Sequence, residues 1–386
     1  MTQVSPDTSP ETGPELAHDR EGAVLTPEER QYPLAPSSLD IRVYSDPDRY
    51  RRELQEIFYK TWFPVMPAED LLREHVQVWE GVEQSVVLSR LADGRVCAWH
   101  NVCQHRGAKI VRESGPCPTG RVRCPWHGFG YDLEGVVNTV PLKDSFDAAE
   151  LVGLRAPAVR VQEWSGFIWI CFSDTTPDLL PYLGEVGAEL SGYGLDEFRT
   201  VYRTEVVLNA NWKVVLDGFN ETWHVPFTHQ DSLGSIVRWR EAVLRVPSPH
   251  SWMTIPIRGF TERVESEDHR QTHLCHYLTF PNTIFSCFPT HLQMWSAWPL
   301  AVDKTRLIAH HVVGPTPDGQ TDEQWMKRNL RDWEHFVTVL GEDSEVLDDF
   351  GQLVNSLGFR RNMFNTAESR LTAFHHEVAV RLGEDQ

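Results

Sequence analysis

The sequence predicts an α+β chain, with a small all-β unit followed by a larger unit built on a large antiparallel sheet with flanking helices. Three patterns predict it. Between about 76 and 140, short apolar runs alternate with turn signals: Val76–Trp79 and Val86–Leu88 precede the turn Asp93-Gly94, and Val96–Trp99 follows it. Between about 235 and 315 the alternating runs Leu274–Phe280, Leu292–Trp298 and Arg306–Val313 read as strands of a sizeable sheet. From Trp325 to Leu340 the spacing of Leu330, Trp333, Phe336, Val337 and Leu340 becomes helical.

Other elements follow in order. Residues 1–37 hold six prolines among Ser, Thr, Asp and Glu, too little apolar surface to offset ordering, so a mobile tail is expected. From Asp46, the recurrence of Tyr50, Leu54, Ile57, Phe58 and Trp62 predicts an amphipathic helix that docks on another surface. Gly166–Phe172 reads as a buried strand, and Val201–Leu208 as an alternating one. The expected division is a tail at 1–37, a helix plus small β unit at 38–175, and a larger unit at 176–386.

Composition narrows the function. A length of 386 residues suits two domains, and 41% hydrophobic residues suffice for a sizeable core. A formal charge of −19 argues against nucleic acid or an anionic membrane as partner and suits docking by a basic patch on another protein. No apolar run approaches a membrane span, and no basic-then-apolar leader opens the chain. Seven cysteines, odd in number and irregularly spaced, do not read as a disulfide framework, so a cytoplasmic location is expected.

Two clusters carry chemistry. Cys103-Gln104-His105-Arg106-Gly107 and Cys124-Pro125-Trp126-His127-Gly128 each present one thiolate and one imidazole. Structural zinc sites pair like ligands, Cys with Cys and His with His, whereas each clip here mixes them. Mixing suits a [2Fe–2S] cluster in which two Cys hold one iron and two His the other, the Rieske arrangement. Unligated thiols and imidazoles would leave Gly107, Pro125 and Gly128 at the bends unexplained. The second cluster is Asp217-x3-Glu221-x2-His224-x4-His229. If this run is helical, Glu221 and His224 share a face with Asp217 one turn earlier, and Pro226 ends or bends the helix so that His229 swings back. Two imidazoles and a carboxylate can hold non-haem Fe(II) with open positions.

These motifs, with Tyr131-Asp132-Leu133-Glu134-Gly135 and Asn211-Trp212-Lys213, resemble the Rieske non-haem iron oxygenases, the ring-hydroxylating oxygenase alpha subunits, over roughly residues 40 to 360. The resemblance implies a Rieske domain and a helix-grip-like catalytic domain, usually in a trimer in which one subunit's cluster serves its neighbour's iron. It implies Cys103, His105, Cys124 and His127 as cluster ligands, and His224 and His229 as ligands to a mononuclear iron. A third ligand is a carboxylate placed after a long helix, where Glu342, Asp343, Glu345, Asp348 and Asp349 compete and Asp343 fits the motif best. Glu221 would join an iron imidazole to a cluster imidazole of the adjacent subunit; many ring dioxygenases carry Asp there, and Glu occurs in members resembling amine-type monooxygenases. Asp217 is a further catalytic candidate.

No nicotinamide- or flavin-binding loop and no plant-type ferredoxin cysteine run is visible, so electrons must come from a separate reductase, with or without a ferredoxin. The resemblance implies as substrate an aromatic ring or aromatic acid, or alternatively an N-methyl or O-methyl compound that is demethylated or hydroxylated. A β subunit, and the insertion of one oxygen atom or two, stay open. Other residues read as packing: His100 beside the first clip, the strand pair His310-His311, and Cys97, Cys117, Cys171, Cys275 and Cys287 as buried thiols. His375-His376 reads as surface. Phe285–Trp298, with Phe288, Leu292, Met294 and Trp295, is expected to wall a pocket.

Overall fold

The computed structural model describes residues 37–260, 266 and 268–384; the expected tail, Ser37 excepted, lies outside the described residues. Its largest element is a seven-stranded sheet. The strands run in the order Arg199–Leu208, Lys304–Val313, His291–Ala301, Thr283–Cys287, His273–Thr279, Ser251–Pro256 and Val243–Arg245, each antiparallel to the next. Thr283–Cys287 is buried at every position because both faces are covered. On one face Trp295, Ala297 and Leu307 pack with Val214, Val215, Trp333, Phe336 and Phe374, which come from the helices Trp212–Phe219, Asp322–Leu353 and Ser369–Arg381. On the other, Phe285, Leu292 and Met294 meet Leu183, Val186 and Leu190 of the helix Leu179–Ser191, together with Trp169.

The N-terminal β unit holds a four-stranded sheet, Val96–His100, Gln84–Arg90, His75–Gly81 and Gly115–Pro116, and a three-stranded one, Arg121–Arg123, Gly130–Asp132 and Val137–Thr139. A third small sheet, Arg160–Trp164, Phe167–Cys171 and Phe63–Pro67, lies between this unit and the large sheet: Phe63 meets Trp298, and Phe167 meets Phe285. The expected strands all form, most of them longer than their apolar runs, although Phe167–Cys171 is shorter than the run that predicted it.

The segment 38–57, grouped above with the β unit, is tied to the C-terminal unit, as is Ser37 of the expected tail. Ser37–Asp40 pairs with Arg361–Phe364. The amphipathic helix spans Pro47–Glu56, with the Asp46 side chain accepting from the amides of Asp48 and Arg49 at its start. Glu53 of this helix is fully buried and takes Lys213 Nζ at 2.6 and 2.7 Å and Trp212 Nε1 at 2.8 Å.

The long helix departs from expectation. It opens on a capping box, Thr321 with Gln324, and continues past Leu340 to Leu353. Its buried stripe is Trp325, Asn329, Trp333, Phe336, Leu340, Asp343 and Leu347, so Asp343 lies within the helix and not after it. No helix among the described residues is long and apolar enough to cross a membrane.

Candidate metal centres

The two Cys/His clips fold into matching loops. In the first, Cys103 N–H donates to Ala108 O at 2.8 Å and Gly107 N–H to Cys103 O at 2.8 Å; in the second, Cys124 N–H donates to Phe129 O at 2.8 Å and Gly128 N–H to Cys124 O at 3.1 Å. Each loop turns back on a glycine in the left-handed region, Gly107 at φ +75° and Gly128 at φ +74°, where a side chain would be strained. The loops bring the His105 and His127 rings to 4.6 Å, edge to face, while Cys103 and Cys124 are buried. His105 Nδ1 is buried and has no hydrogen-bond partner. A buried imidazole nitrogen left bare, on paired loops that also bury two thiols, is a donor set a [2Fe–2S] cluster would satisfy, so the residues fit it.

Tyr131 completes this site, a role that its place in the motif does not by itself reveal. Its hydroxyl donates to Cys103 Sγ at 3.3 Å and accepts from the Gln104 amide at 3.0 Å. Such a hydrogen bond to a ligating sulfur adjusts the potential of a cluster. His127 is exposed, and beside it Arg106 stacks at 4.4 Å on Trp126, which is 53% exposed.

In the second cluster the chain is not one helix. The helix Trp212–Phe219 stops, residues 220–224 turn, and a short helix Val225–Thr228 follows with Pro226 in its first turn, so proline opens a helix here and does not end one. The turn separates Asp217 from the histidines. Asp217 instead accepts from Tyr44 Oη at 2.6 Å and meets His375 Nε2 at 2.9 Å, and it does not line the cavity described below. The expectation that Asp217 belongs to the catalytic group is therefore corrected: it ties the N-terminal segment to the C-terminal helix. His375 is corrected with it, being buried in that contact, whereas His376 is exposed.

His224, His229 and Asp343 converge, with one ligand atom from each lying within 4.8 Å of the others. Asp343 Oδ1 stands 2.9 Å from His229 Nε2 and 3.7 Å from His224 Nε2. The outer nitrogens are each held by a carboxylate. Glu221 bonds His224 Nδ1, and Glu342 Oε2 takes His229 Nδ1 at 2.6 Å and Ser232 Oγ at 2.7 Å. With each Nδ1 held by a carboxylate, both Nε2 atoms turn toward one Asp343 oxygen, an arrangement that either protons or a bound cation can satisfy. Burial opposes protonation of these imidazoles, yet the hydrogen bonds and charges of Glu221, Asp343 and Glu342 outweigh it, so both are shifted above the usual range. The trio fits a divalent metal with positions left open, the donor set of non-haem iron.

Of the five competing acidic residues, then, Asp343 faces the histidines and Glu342 supports one of them, a role that spacing alone does not assign. Asp348 caps the Asn209 amide at 2.7 Å, and Glu345 and Asp349 are exposed. Glu342→Gln is expected to weaken retention of the mononuclear metal by about tenfold, as loss of an outer-shell partner does, with the cluster spectrum unchanged. Competition with a chelator measures it.

The trio opens on a cavity of about 230 Å³. Phe288 and Trp295 wall it as expected, but Leu292 and Met294 do not: they alternate to the opposite face of the strand, in the core with Trp169 and Phe285. His291 and Gln293 take the inward positions instead. His310 and His311 are both buried, and His311 Nε2 meets Asn329 Oδ1 at 3.1 Å. His100 stacks on Phe172 at 5.5 Å, and Trp223, beside the trio in sequence, is half exposed.

The two sites define a chain with one donor set suited to a [2Fe–2S] cluster and a separate one suited to a mononuclear metal. Residues 61–159 match the family model of the Rieske [2Fe-2S] domain, and residues 195–384 that of the ring hydroxylating alpha subunit catalytic domain. The chain belongs to the Rieske non-haem iron oxygenases, the ring-hydroxylating oxygenase alpha subunit family. It is 32% identical over 207 residues to the large oxygenase component of the naphthalene 1,2-dioxygenase system of Pseudomonas aeruginosa, a match covering 50% of this chain and 44% of that one. It is 22% identical over 323 residues to the glycine betaine monooxygenase oxygenase subunit of Pseudomonas aeruginosa strain UCBPP-PA14, covering 72% and 73%. The chain thus spans less than half the length of its dioxygenase relative. In fold it is similar to a quaternary ammonium Rieske monooxygenase crystallised with L-carnitine (TM-score 0.75, 19% identity, 91% of this chain and 97% of that one). It is similarly like naphthalene 1,2-dioxygenase from Rhodococcus sp. bound to indole (TM-score 0.73, 18% identity, 90% and 94%).

Proposed function

We propose that the chain is the terminal oxygenase component of a multicomponent Rieske oxygenase, hydroxylating an aromatic or aromatic-acid substrate with O2 and electrons from a separate reductase, directly or through a ferredoxin. One observation carries this reading. The imidazole–imidazole–carboxylate trio is set at the wall of a cavity lined by Val225, Ile236, Phe288, Trp295 and Phe336, so a bound ring lies against open metal positions. When bound, the mononuclear iron activates O2 and the cluster stores and delivers electrons. Inserting one oxygen atom consumes O2, two electrons and two protons and releases water; inserting both atoms across a ring bond consumes the same electrons and protons and releases none.

The chain's own residues position and connect. Glu342 and Glu221 fix the His229 and His224 rings, and Asp343 contributes the negative charge that favours a cation among them. The apolar wall excludes water and orients the ring. Within one chain, Glu221 bonds His224 and the backbone amides of Trp223 and His224, and neither cluster imidazole. That arrangement, with His127 exposed, supports a homotrimer in which His127 or His105 of one subunit meets Glu221 of the next. The −19 charge suits docking of a basic partner, and a β subunit is compatible with the exposed surface. A cytoplasmic place in aromatic breakdown suits this substrate class and seven cysteines of which none forms a disulfide. The alternative, a monooxygenase of N-methyl or O-methyl compounds, draws on Glu221 standing where ring dioxygenases often carry Asp, and on the longer match to a betaine monooxygenase.

Glu221→Gln tests the connection. Both metals are expected to stay bound while product formation with a ring substrate slows by about 10–100-fold, the range for a lost outer-shell carboxylate. Full activity removes the proposed bridge, and loss of the Rieske visible spectrum in the parent protein removes the reading itself.

A further inference from the structure

The cavity floor is not uniformly apolar. His276 pairs with Ser286, and Ser286 with Gln293, across three adjacent strands, so their side chains form one polar row on the cavity side of the sheet. Behind that row lies Arg370 of the C-terminal helix, fully buried. Its Nε donates to Ser251 Oγ at 3.0 Å and its Nη1 to His276 Nδ1 at 3.3 Å. Its Nη2 is buried without a hydrogen-bond partner, and no described carboxylate pairs with the guanidinium. A buried cation in that state is costly, and the fold leaves it unbalanced.

The contact also sets the imidazole. An arginine has no acceptor, so His276 Nδ1 accepts and the ring proton sits on Nε2. Burial and the Arg370 charge push His276 well below its ordinary protonation range, and burial lowers Arg370 to about 9, so the imidazole stays neutral while the guanidinium stays charged. His276 therefore offers a fixed N–H donor at the cavity wall, with a positive charge behind it.

We infer that the substrate is an aromatic carboxylate, its anionic oxygen accepting from His276 Nε2 while Arg370, through the same imidazole, supplies the balancing charge. His276 is then a specificity-determining residue and Arg370 a positioning one. The inference rests on the ring-hydroxylating reading above and narrows it. A plain hydrocarbon leaves the polar row without a partner, and a quaternary ammonium offers no acceptor and meets a like charge.

The test is anaerobic titration calorimetry of the iron-loaded protein with benzoate, toluene and tetramethylammonium as probes. Benzoate is expected to bind about tenfold or more tightly than toluene, the scale of one hydrogen bond to a charged group, and more tightly than tetramethylammonium. His276→Leu should weaken benzoate by about that factor and leave toluene unchanged, while His276→Gln, which keeps a side-chain N–H donor, should retain most of the preference. Failure of benzoate to bind, a tighter toluene or tetramethylammonium complex, or an unchanged preference in a folded His276→Leu protein overturns the inference; if that variant does not fold, the three parent affinities decide alone. Iron content and the visible spectrum of the same sample separate the outcomes. Their absence overturns the functional reading as well, whereas their presence without a benzoate preference overturns only this assignment.

Discussion

Asp343→Ala is expected to empty the mononuclear site and cost more than the roughly hundredfold that loss of an outer-shell partner brings. Asp343 is the sole carboxylate whose oxygen faces both His224 Nε2 and His229 Nε2 among the described residues. Without it the two imidazoles remain a neutral pair, which binds a divalent ion far less firmly than a set carrying a negative charge. Total iron should fall from about three to about two atoms per chain, because the cluster's Cys/His ligands are untouched. The Rieske visible spectrum should persist while O2-dependent product formation is lost. Iron analysis, the spectrum and a turnover assay on one preparation check all three. Retention of about three iron atoms would show that another oxygen ligand holds the metal.

Lys213→Ala should destabilise the protein by about 3 kcal/mol or more, because it strands a buried carboxylate. Glu53 and Lys213 are both fully buried, and burial pulls the lysine below its ordinary range while Glu53 opposes that pull. Removing the ammonium leaves Glu53 with Trp212 Nε1 and a long contact to Arg49 Nε at 3.4 Å. The pair fastens the N-terminal helix to the helix that precedes the iron-binding turn, so the damage should reach the metal site as lower iron retention. Glu53→Gln with Lys213→Met removes both charges together and should recover much of the loss. A urea midpoint for parent, single and double variants measures it; a single variant as stable as the parent rules out a stabilising role for the pair.

Much of the site is legible in the residue pattern alone. Mixed Cys/His clips with glycine at each bend admit few folds, since each short loop must close on itself. His224 and His229 are legible through the motif resemblance, while the single helix expected for that run does not form. Asp343 carries a signal that the local acidic run obscures: it lies on the buried stripe that begins at Trp325, where an unpaired carboxylate would be costly without a cation. That stripe shows only once the helix is known to run past Leu340, and it then favours Asp343 over Glu342, Glu345, Asp348 and Asp349.

The remainder depends on where elements stop and what they meet. Asp217 reads as a neighbour of Glu221 until the helix ends at Phe219, and its true partners, Tyr44 and His375, lie more than 150 positions away in the chain. No periodicity could place Arg370 behind His276, or Glu53 against Lys213, because each pairing joins helices and strands remote in sequence. By itself the sequence determined the two Cys/His clips, the His224 and His229 pair, and the strands and helices that carry them, since ligand chemistry and apolar period are local properties. Tertiary packing alone decided which carboxylates serve the metal, which tie the chain's ends together, and which charge stands behind the cavity, because burial is a property of the assembled sheet and helices.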